Sequence, residues 1–271
     1  MVCGACGRHY LIPPDHASRL SDRKVVMAAA RATGGGEWWV TATGVAAVLA
    51  RRRRPLLGMF SRTSRAAFEV WRDTILQFHQ TYPVDHLIDR PALETDEGTP
   101  WPEPDLFDYG AERVLVVDDP LLVDLFVRNW VHSDSRTVIV SIDGYPRRAL
   151  DLAKQLVADR DDLPICLLHH SGAAPEHMAA DTRELLAVDQ GRPVDDLGLA
   201  ADAPRRVRAL HPWRRIGPAS VDCLPIGALT VGVSGLLAAI TVAGSMDGGG
   251  DTSHTSHVWD DASDGGDGDF G

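Results

Sequence analysis

Three short apolar runs, separated by stretches of helical periodicity, constrain the fold of this chain more than any other feature. The runs are residues 113–118, 137–142 and 163–168. Continuous aliphatic runs of this length are typical of strands that are buried on both faces. Between them, residues 121–127 and 147–159 carry apolar side chains at helical spacing. We therefore predict an α/β fold with a small parallel sheet in βαβαβ order.

Composition and charge exclude some classes of protein. The 271 residues are 44% hydrophobic and 24% charged, which is enough to form a real core. The formal net charge of −11 argues against a general nucleic-acid coat, although residues 51–54 and 205–215 form local arginine-rich patches. Of the four cysteines, only Cys3 and Cys6 are close in sequence, so a secreted disulfide scaffold is not indicated. The N-terminus has no basic stretch followed by an apolar core, so we expect no export by the usual N-terminal route.

The composition changes along the chain divide it into seven segments. The predicted segments are a finger-like segment (1–36), a helical segment (37–88), a Pro-rich acidic linker (89–105), the α/β domain (106–190), a basic linker (191–222), an apolar helix (223–246) and a disordered Gly/Asp/His tail (247–271). Within the second segment, the uncharged run 38–50 is too short to cross a bilayer, so we predict a buried or interfacial segment there. Apolar spacing predicts a packing helix over residues 63–80.

The N-terminal segment contains Cys3-Gly-Ala-Cys6-Gly7, then Ile12-Pro13 and the basic-Val run Arg23-Lys24-Val25-Val26. It resembles the short zinc-ribbon finger of many bacterial proteins. The resemblance implies a strand at Arg23–Val26 and a second pair of cysteines near residues 30–34, but both of those cysteines are missing. A structural zinc site needs four ligands, and the two thiolates of Cys3 and Cys6 alone hold the metal poorly. His9 and His16 are nearby, but their spacing matches no common zinc pattern, so we predict a degenerate finger and do not expect zinc at Cys3 and Cys6.

The central block carries a second resemblance, on three short motifs. These are Val114-Leu-Val-Val-Asp118, the helix-end Asn129-Trp-Val-His132, and Gly144-Tyr145-Pro146-Arg147-Arg148. Over about a quarter of the chain, it resembles the Toprim domain of the topoisomerase VI A subunit type. In that family, a Glu after the first strand and an Asp-x-Asp after a later strand hold magnesium for phosphoryl transfer. The resemblance places Asp118 at the Glu position and His170 and Gly172 at the Asp-x-Asp positions, so most of the metal carboxylates are missing.

Four residues at strand ends are the candidate ligand-binding or metal-binding residues: Asp118, Asp119, His169 and His170. They follow two predicted strands at the end where parallel α/β sheets bind ligands. The two aspartates also have a structural interpretation. Asp119-Pro120 is a good helix start, with Asp as the cap and Pro at the first helical position, and Asp118 could belong to the same turn.

Residues 223–246 are 24 residues without a charged side chain (246 − 223 + 1). This length can cross a bilayer as a helix, and Arg214 and Arg215 before it would keep the α/β domain cytoplasmic. We expect no other stretch of the chain to offer it an extended packing partner. The alternative is a buried core helix, which the glycines at positions 227, 232 and 235 make plausible.

These features predict a non-enzymatic, single-pass membrane protein with a cytoplasmic Toprim-like domain that binds or scaffolds an unidentified protein partner. The alternative is a soluble nucleic-acid-associated protein that retains metal-dependent phosphoryl transfer at Asp118, Asp119 and His170. No Ser, Cys or His constellation in the sequence has a spacing that singles out nucleophilic catalysis, so we assign no catalytic residue.

Overall fold

The computed structural model describes residues 20–52, 65–94, 110–170, 174–199 and 220–245. Within these ranges the chain forms eight α-helices and two parallel sheets, which confirms the predicted α/β class. The elements are α1 (Asp22–Ala32), β1 (Val40–Thr41), α2 (Ala42–Arg52), α3 (Arg65–Thr81), β2 (Leu87–Ile88), β3 (Arg113–Val117), α4 (Pro120–Arg128), α5 (Val131–Asp134), β4 (Thr137–Ser141), α6 (Arg147–Asp159), β5 (Ile165–Leu168), α7 (Pro175–Leu186), β6 (Asp195–Asp196), a 3₁₀-helix (Val221–Cys223) and α8 (Ile226–Ser245).

The main sheet has four parallel strands in the order β4-β3-β5-β6. The first strand of the block, β3, lies in the interior, where Val114 pairs with Val138 on one side and with Ile165 on the other. The chain therefore moves to one side of β3 for β4 and returns to the other side for β5. Such a reversal opens a crevice at the carboxyl ends of the central strands, and this is where open α/β sheets bind ligands. The three strands and both helices predicted for this block are confirmed.

Both faces of the sheet are covered, and β3 shows how the two cores are separated. Leu115 and Val117 belong to a large core together with the N-terminal helices, α4 and α8, whereas Val114 and Val116 belong to a smaller core with α6 and α7. Successive side chains of a strand point to opposite faces, so one apolar run contributes to both cores. All five residues of β3 are buried.

The N-terminal helices pack onto the larger core. The predicted buried segment over 38–50 forms β1 and α2, in which Val45 and Ala46 are fully buried. The predicted helix over 63–80 is α3, and it buries Trp71 and Ile75. These two predictions are confirmed, since apolar residues at helical spacing define a face that packs against the core.

Two polar side chains tie the central block to neighbouring segments. The Asn129 amide accepts a hydrogen bond from the Trp39 N–H (2.9 Å), and its Nδ2 donates to the Trp39 carbonyl (2.9 Å) and to the Leu125 carbonyl (2.8 Å). The Tyr145 hydroxyl donates to Asp124 at 2.5 Å and accepts from the backbone N–H of Leu93 at 2.7 Å. Two of the motif residues therefore fix the scaffold.

The structure corrects the prediction for residues 23–26. The strand that the zinc-ribbon resemblance implied there is wrong, because these residues lie in the first half of α1. Alanine-rich sequence favours helix, and Val25, Ala28 and Ala29 are buried on one face at helical spacing. Cys3 and Cys6, the predicted metal ligands, lie outside the described residues.

The end of the predicted basic linker and the predicted apolar helix pack against the core, which was not expected. Val221 and Cys223 of the 3₁₀-helix are fully buried, and α8 buries Leu229, Val233 and Leu237 in the larger core. The expectation that residues 223–246 lack a packing partner is therefore wrong for this inner face. On the outer face, Val231 is 72% exposed. Among the described residues, no helix combines the length and apolarity needed to span a membrane.

The predicted basic linker over residues 191–222 contains a strand that the sequence did not reveal. Strand β6 pairs with β5 through Cys166 opposite Asp195 and Leu167 opposite Asp196. It is only two residues long, and both are acids, so it has neither the length nor the apolar pattern of a strand.

Candidate functional site

Three of the four predicted site residues meet at the carboxyl ends of β3 and β5. Asp118 and Asp119 follow β3, and His169 and His170 follow β5, which is its neighbour in the sheet. The backbone N–H of His170 donates to Asp118 Oδ2 at 2.6 Å. The His170 ring Nε2 lies 3.9 Å from Asp118 Oδ1 and 3.8 Å from Asp119 Oδ2. The register of parallel strands therefore brings these residues together as predicted.

The other ring nitrogen of His170 is held by the chain near the C-terminal helix. The backbone N–H of Val221 donates to His170 Nδ1 at 3.1 Å. Because Nδ1 accepts this bond, the hydrogen-bond network assigns the proton of the neutral ring to Nε2, on the side of the two carboxylates. The imidazole thus bridges the edge of the sheet and the 3₁₀-helix.

The ionisation of these groups follows from burial and from their mutual contacts. Burial raises the pKa of Asp118, and the neighbouring His170 offsets this only in part. Burial also opposes ionisation of Asp119, but the interaction with His170 and the backbone N–H of Leu121 outweigh it, so the pKa of Asp119 is lowered. For His170, burial favours the neutral ring, but Asp119, Asp118 and Asp222 outweigh it and raise its pKa. The carboxylates around His170 therefore favour its charged form, whereas the hydrogen bond that Nδ1 accepts from Val221 is made by the neutral ring.

His169 points away from this group. It is buried, and its Nε2 lies 3.1 Å from Asp196 Oδ1, at the end of β6. Burial favours the neutral ring, but the interaction with Asp196 raises the pKa of His169. Gly198 packs so closely on this ring that a Cβ there would lie 2.3 Å from it. His169 therefore packs β6 and the segment after it onto the sheet, and it does not join His170 in one site.

The structural interpretation of Asp119 is confirmed. Its side chain accepts a hydrogen bond from the Leu121 N–H at 2.8 Å and caps α4, and Pro120 is the first helical residue. Capping leaves the other oxygen, Oδ2, facing His170. Asp119 therefore combines a helix cap with a place in the site.

The site also contains three residues that the sequence did not reveal: Thr41, Ser220 and Asp222. The Thr41 hydroxyl donates to Asp222 Oδ2 at 2.5 Å, and the Ser220 hydroxyl donates to Asp222 Oδ1. Ser220 Oγ also lies 3.4 Å from His170 Nε2. An aspartate between two core residues, as in Val221-Asp222-Cys223, was the only signal available in the sequence.

A cleft of about 430 Å³ opens beside these groups. Its walls come from the start of α2, one face of α3, the end of β2, the edge of the main sheet and the segment before the 3₁₀-helix. It is lined by Thr41, Ala42, Thr43, Phe68, Glu69, Arg72, Leu76, Ile88, Asp89, Asp119, Leu121, His170, Ser220 and Asp222. This volume lies in the range of small-molecule sites.

The arrangement restricts the chemistry that the site can perform. Ser220, His170 and an aspartate are adjacent, but Nδ1 of His170 already accepts a hydrogen bond from the Val221 N–H, and Nε2 carries the proton of the neutral ring. The ring therefore has no lone pair free to accept the Ser220 proton, as a nucleophilic triad requires. Within the described parts of the chain, no group of three or more His, Cys, Asp or Glu side chains is placed to hold a metal ion.

The fold and site together define an α/β protein with a polar cleft at the switch point of a doubly wound parallel sheet. Comparisons with protein-family models, with curated proteins and with solved structures found no match to this chain.

Proposed function

We propose that this chain is a non-enzymatic binding protein, built on a Toprim-like α/β domain in which a binding cleft replaces the catalytic metal centre. The observation that carries the proposal is the position of His170. Its backbone N–H donates to Asp118 at 2.6 Å, and its ring lies within 4 Å of both Asp118 and Asp119. A side chain of the protein itself therefore lies beside the carboxylates that would hold magnesium.

The chemistry of the ligands supports this proposal over retained phosphoryl transfer. Magnesium requires hard oxygen ligands in near-octahedral geometry, and imidazole is a poor substitute. Asp119 already caps α4, and one oxygen of Asp118 already accepts from the chain. We therefore propose that the site lies at the position that the Toprim resemblance implies, whereas its chemistry differs.

Replacement of His170 tests the proposal directly. We expect Mg²⁺ to leave the melting temperature of the wild-type protein unchanged. His170→Asp would restore a third carboxylate beside Asp118 and Asp119, so it should lower the melting temperature without metal and make it rise with Mg²⁺. The matched control is His170→Asn, which introduces a side chain of the same size as His170→Asp but without the charge. The melting temperature of this variant should not change with Mg²⁺.

A nicking assay on supercoiled DNA separates the alternative, a nucleic-acid-associated enzyme, from the binding protein. We expect no Mg²⁺-dependent nicking by the wild-type chain. Nicking that requires Mg²⁺ and disappears in Asp118→Ala, together with Mg²⁺-induced stabilisation of the wild type, would overturn the proposal.

Membrane anchoring through residues 223–246 is a separate proposal. The uncharged sequence and the 72% exposed Val231 on α8 support it, whereas the burial of Leu229 and Val233 against the protein weighs against it. An anchoring helix would have to bring these inner residues into lipid. We propose that this anchor places the α/β domain on the cytoplasmic side, as the arginines before the helix predict.

Charge substitutions on the two faces of α8 test the anchor. Val231→Asp would cost about 2.5–3.5 kcal/mol at the centre of a bilayer, but little on a surface already in water. If α8 spans a membrane, this variant should leave the carbonate-washed membrane fraction for the soluble one. If the full chain is already soluble and Val231→Asp melts at the wild-type temperature, the anchor is refuted. Leu229→Asp, on the fully buried face, is the control that should destabilise the fold in either case.

A further inference from the structure

We propose that a second cavity, beside the cleft, binds a small uncharged apolar molecule. This cavity, which we call the apolar pocket, has a volume of about 210 Å³ and lies between the end of α1, the start of α2, α4 and the start of α8. Six aliphatic side chains line it: Val40, Val48, Leu125, Leu224, Ile226 and Leu229. The function proposed for the cleft does not require this pocket, so the inference goes beyond it.

The apolar pocket and the cleft share one wall. Thr41 and Asp222 line both cavities, and the hydrogen bond between them, at 2.5 Å, lies in this shared wall. On the side of the cleft the wall continues into the polar residues Asp119 and His170, whereas on the other side it continues into the aliphatic side chains of the larger core. The two cavities therefore suit ligands of different polarity.

The polar side chains of the shared wall bond to each other and to the chain. Asp222 accepts from Thr41 through Oδ2 and from Ser220 through Oδ1, and the Thr41 hydroxyl accepts from the Gly44 N–H at 3.1 Å. The other charged residue among the described residues of the wall is Arg31, which is exposed and so remains in water. A charged ligand would lose hydration in the apolar part of the pocket without gaining a partner there, and this opposes its binding.

The volume of the pocket sets the size of the ligand. A dry apolar cavity of about 150 Å³ binds benzene, so a pocket of about 210 Å³ has room for one substituted ring. The wall also contains the ring of Trp38, which is half-buried. Aromatic pairs interact favourably beyond the area that they bury, so an aromatic ring is the best match.

Gly227, at the second position of α8, leaves part of this space open. The described atom nearest to a Cβ added at Gly227 is in the Trp38 ring, at 4.0 Å, which is ordinary van der Waals contact. Both residues line the pocket. A larger side chain at position 227 would therefore occupy the volume that we assign to the ligand.

Three benzene derivatives of similar size test the class of ligand. Toluene is neutral, benzylamine is its cationic counterpart and benzoate is the anion. By isothermal titration with the full chain, we expect toluene to bind with a dissociation constant of about 1 mM or below. Benzylamine and benzoate should each bind at least about ten-fold more weakly, because the apolar wall cannot replace their hydration.

Two glycine substitutions on the same helix locate the binding. Gly227→Leu fills the pocket and should weaken toluene binding about ten-fold or more. Gly235→Leu is the matched control, since Gly235 is exposed, does not line the pocket and has no described atom within 4 Å of an added Cβ. This control should leave the affinity for toluene unchanged. Leucine favours helix over glycine, so neither variant should melt below the wild type.

A second measurement does not depend on titration heats. Toluene should raise the melting temperature of the wild type and of Gly235→Leu, because a ligand of the folded state stabilises it, but it should not raise that of Gly227→Leu. Gly227→Ala adds only the Cβ and should weaken binding less than Gly227→Leu, so it serves as the test should the leucine variant melt below the wild type.

Three results would overturn the inference. They are a dissociation constant for toluene above about 3 mM, an equal affinity for benzylamine or benzoate, and toluene binding that both Gly227 variants leave unchanged. The third result would place toluene elsewhere, for example in the cleft. None of them bears on the function proposed for the cleft, which is tested through His170 and Mg²⁺.

Discussion

Replacing Asn129 with alanine should destabilise the fold strongly, although the residue lies outside the cleft. Asn129 is the only asparagine in the chain, and its buried amide makes three hydrogen bonds to backbone groups of Trp39 and Leu125. These bonds fix the segment before β1 against the end of α4. The alanine variant keeps the backbone of Asn129 but leaves the Trp39 N–H and carbonyl without their partner.

The magnitude follows from the number and burial of these bonds. Each net hydrogen bond contributes about 1 kcal/mol, and an unsatisfied buried group costs about 1–3 kcal/mol. Because Trp39 is half-buried, water can replace part of its loss. We therefore expect Asn129→Ala to lower the free energy of unfolding by about 2–3 kcal/mol. At about 2–4 °C per kcal/mol for a domain of this size, the melting temperature should fall by about 5–10 °C.

Chemical denaturation by urea, followed by circular dichroism, measures this change. Gln80→Ala removes an exposed amide from α3 and should change the free energy of unfolding by less than about 0.5 kcal/mol. Asn129→Asp keeps an acceptor for the Trp39 N–H but places a carboxylate beside two carbonyls, so its pKa should rise and its stability should recover as the pH falls. A loss of less than about 0.5 kcal/mol in the free energy of unfolding of Asn129→Ala would refute the stabilising role of these hydrogen bonds.

Three further predictions concern the core and the histidines. Gly198→Ala should lower the free energy of unfolding by about 1–3 kcal/mol because the added Cβ would overlap the buried His169 ring. Gly191→Ala, with open space around the added Cβ, should leave the stability unchanged. Equal melting temperatures of the two variants would contradict the close packing of Gly198 on His169. Trp71→Ala should lower the free energy of unfolding in urea by about 3–5 kcal/mol because the Trp71 side chain is buried. Trp130→Ala, at an exposed position, should lower it by less than about 1 kcal/mol. Similar losses in the two variants would refute the packing described for α3. Because the pKa of His170 is raised, its contacts with the carboxylates stabilise the fold fully below about pH 6.5, and this stabilisation is lost as the pH rises through the folded pKa. Between pH 6 and 8, the melting temperature of His170→Gln should therefore fall less than that of the wild type. Parallel curves of melting temperature against pH would exclude this contribution.

The sequence predicted those parts of the fold that have long local signals. Each of β3, β4 and β5 is an apolar run that is buried throughout, and the helices between them have a clear helical period. The edge of the sheet at which Asp118 and His170 meet also followed from the sequence, since parallel strands end on one side.

The remainder depends on contacts without a local signal. Thr41 and Asp222 are 181 positions apart, and no sequence pattern near either residue predicts the hydrogen bond between them. For α1, the spacing of Val25, Ala28 and Ala29 favours a helix, whereas the zinc-ribbon resemblance implied a strand over the same residues. Strand β6 is too short and too acidic to stand out, because pairing with β5 alone defines it.

The bond between Thr41 and Asp222 also has a consequence for how the chain is made. Synthesis proceeds from the N-terminus, so α2, the main sheet and His170 leave the ribosome before the partner of Thr41 exists. Until residue 222 emerges, the wall of the cleft is incomplete, and the apolar face that α8 later covers is exposed to solvent. Contacts between distant segments form slowly, and exposed apolar faces on partly folded chains promote aggregation. A nascent chain of this protein would therefore depend most on chaperones until residue 222 and α8 have emerged, because these segments complete the cleft and cover the apolar face.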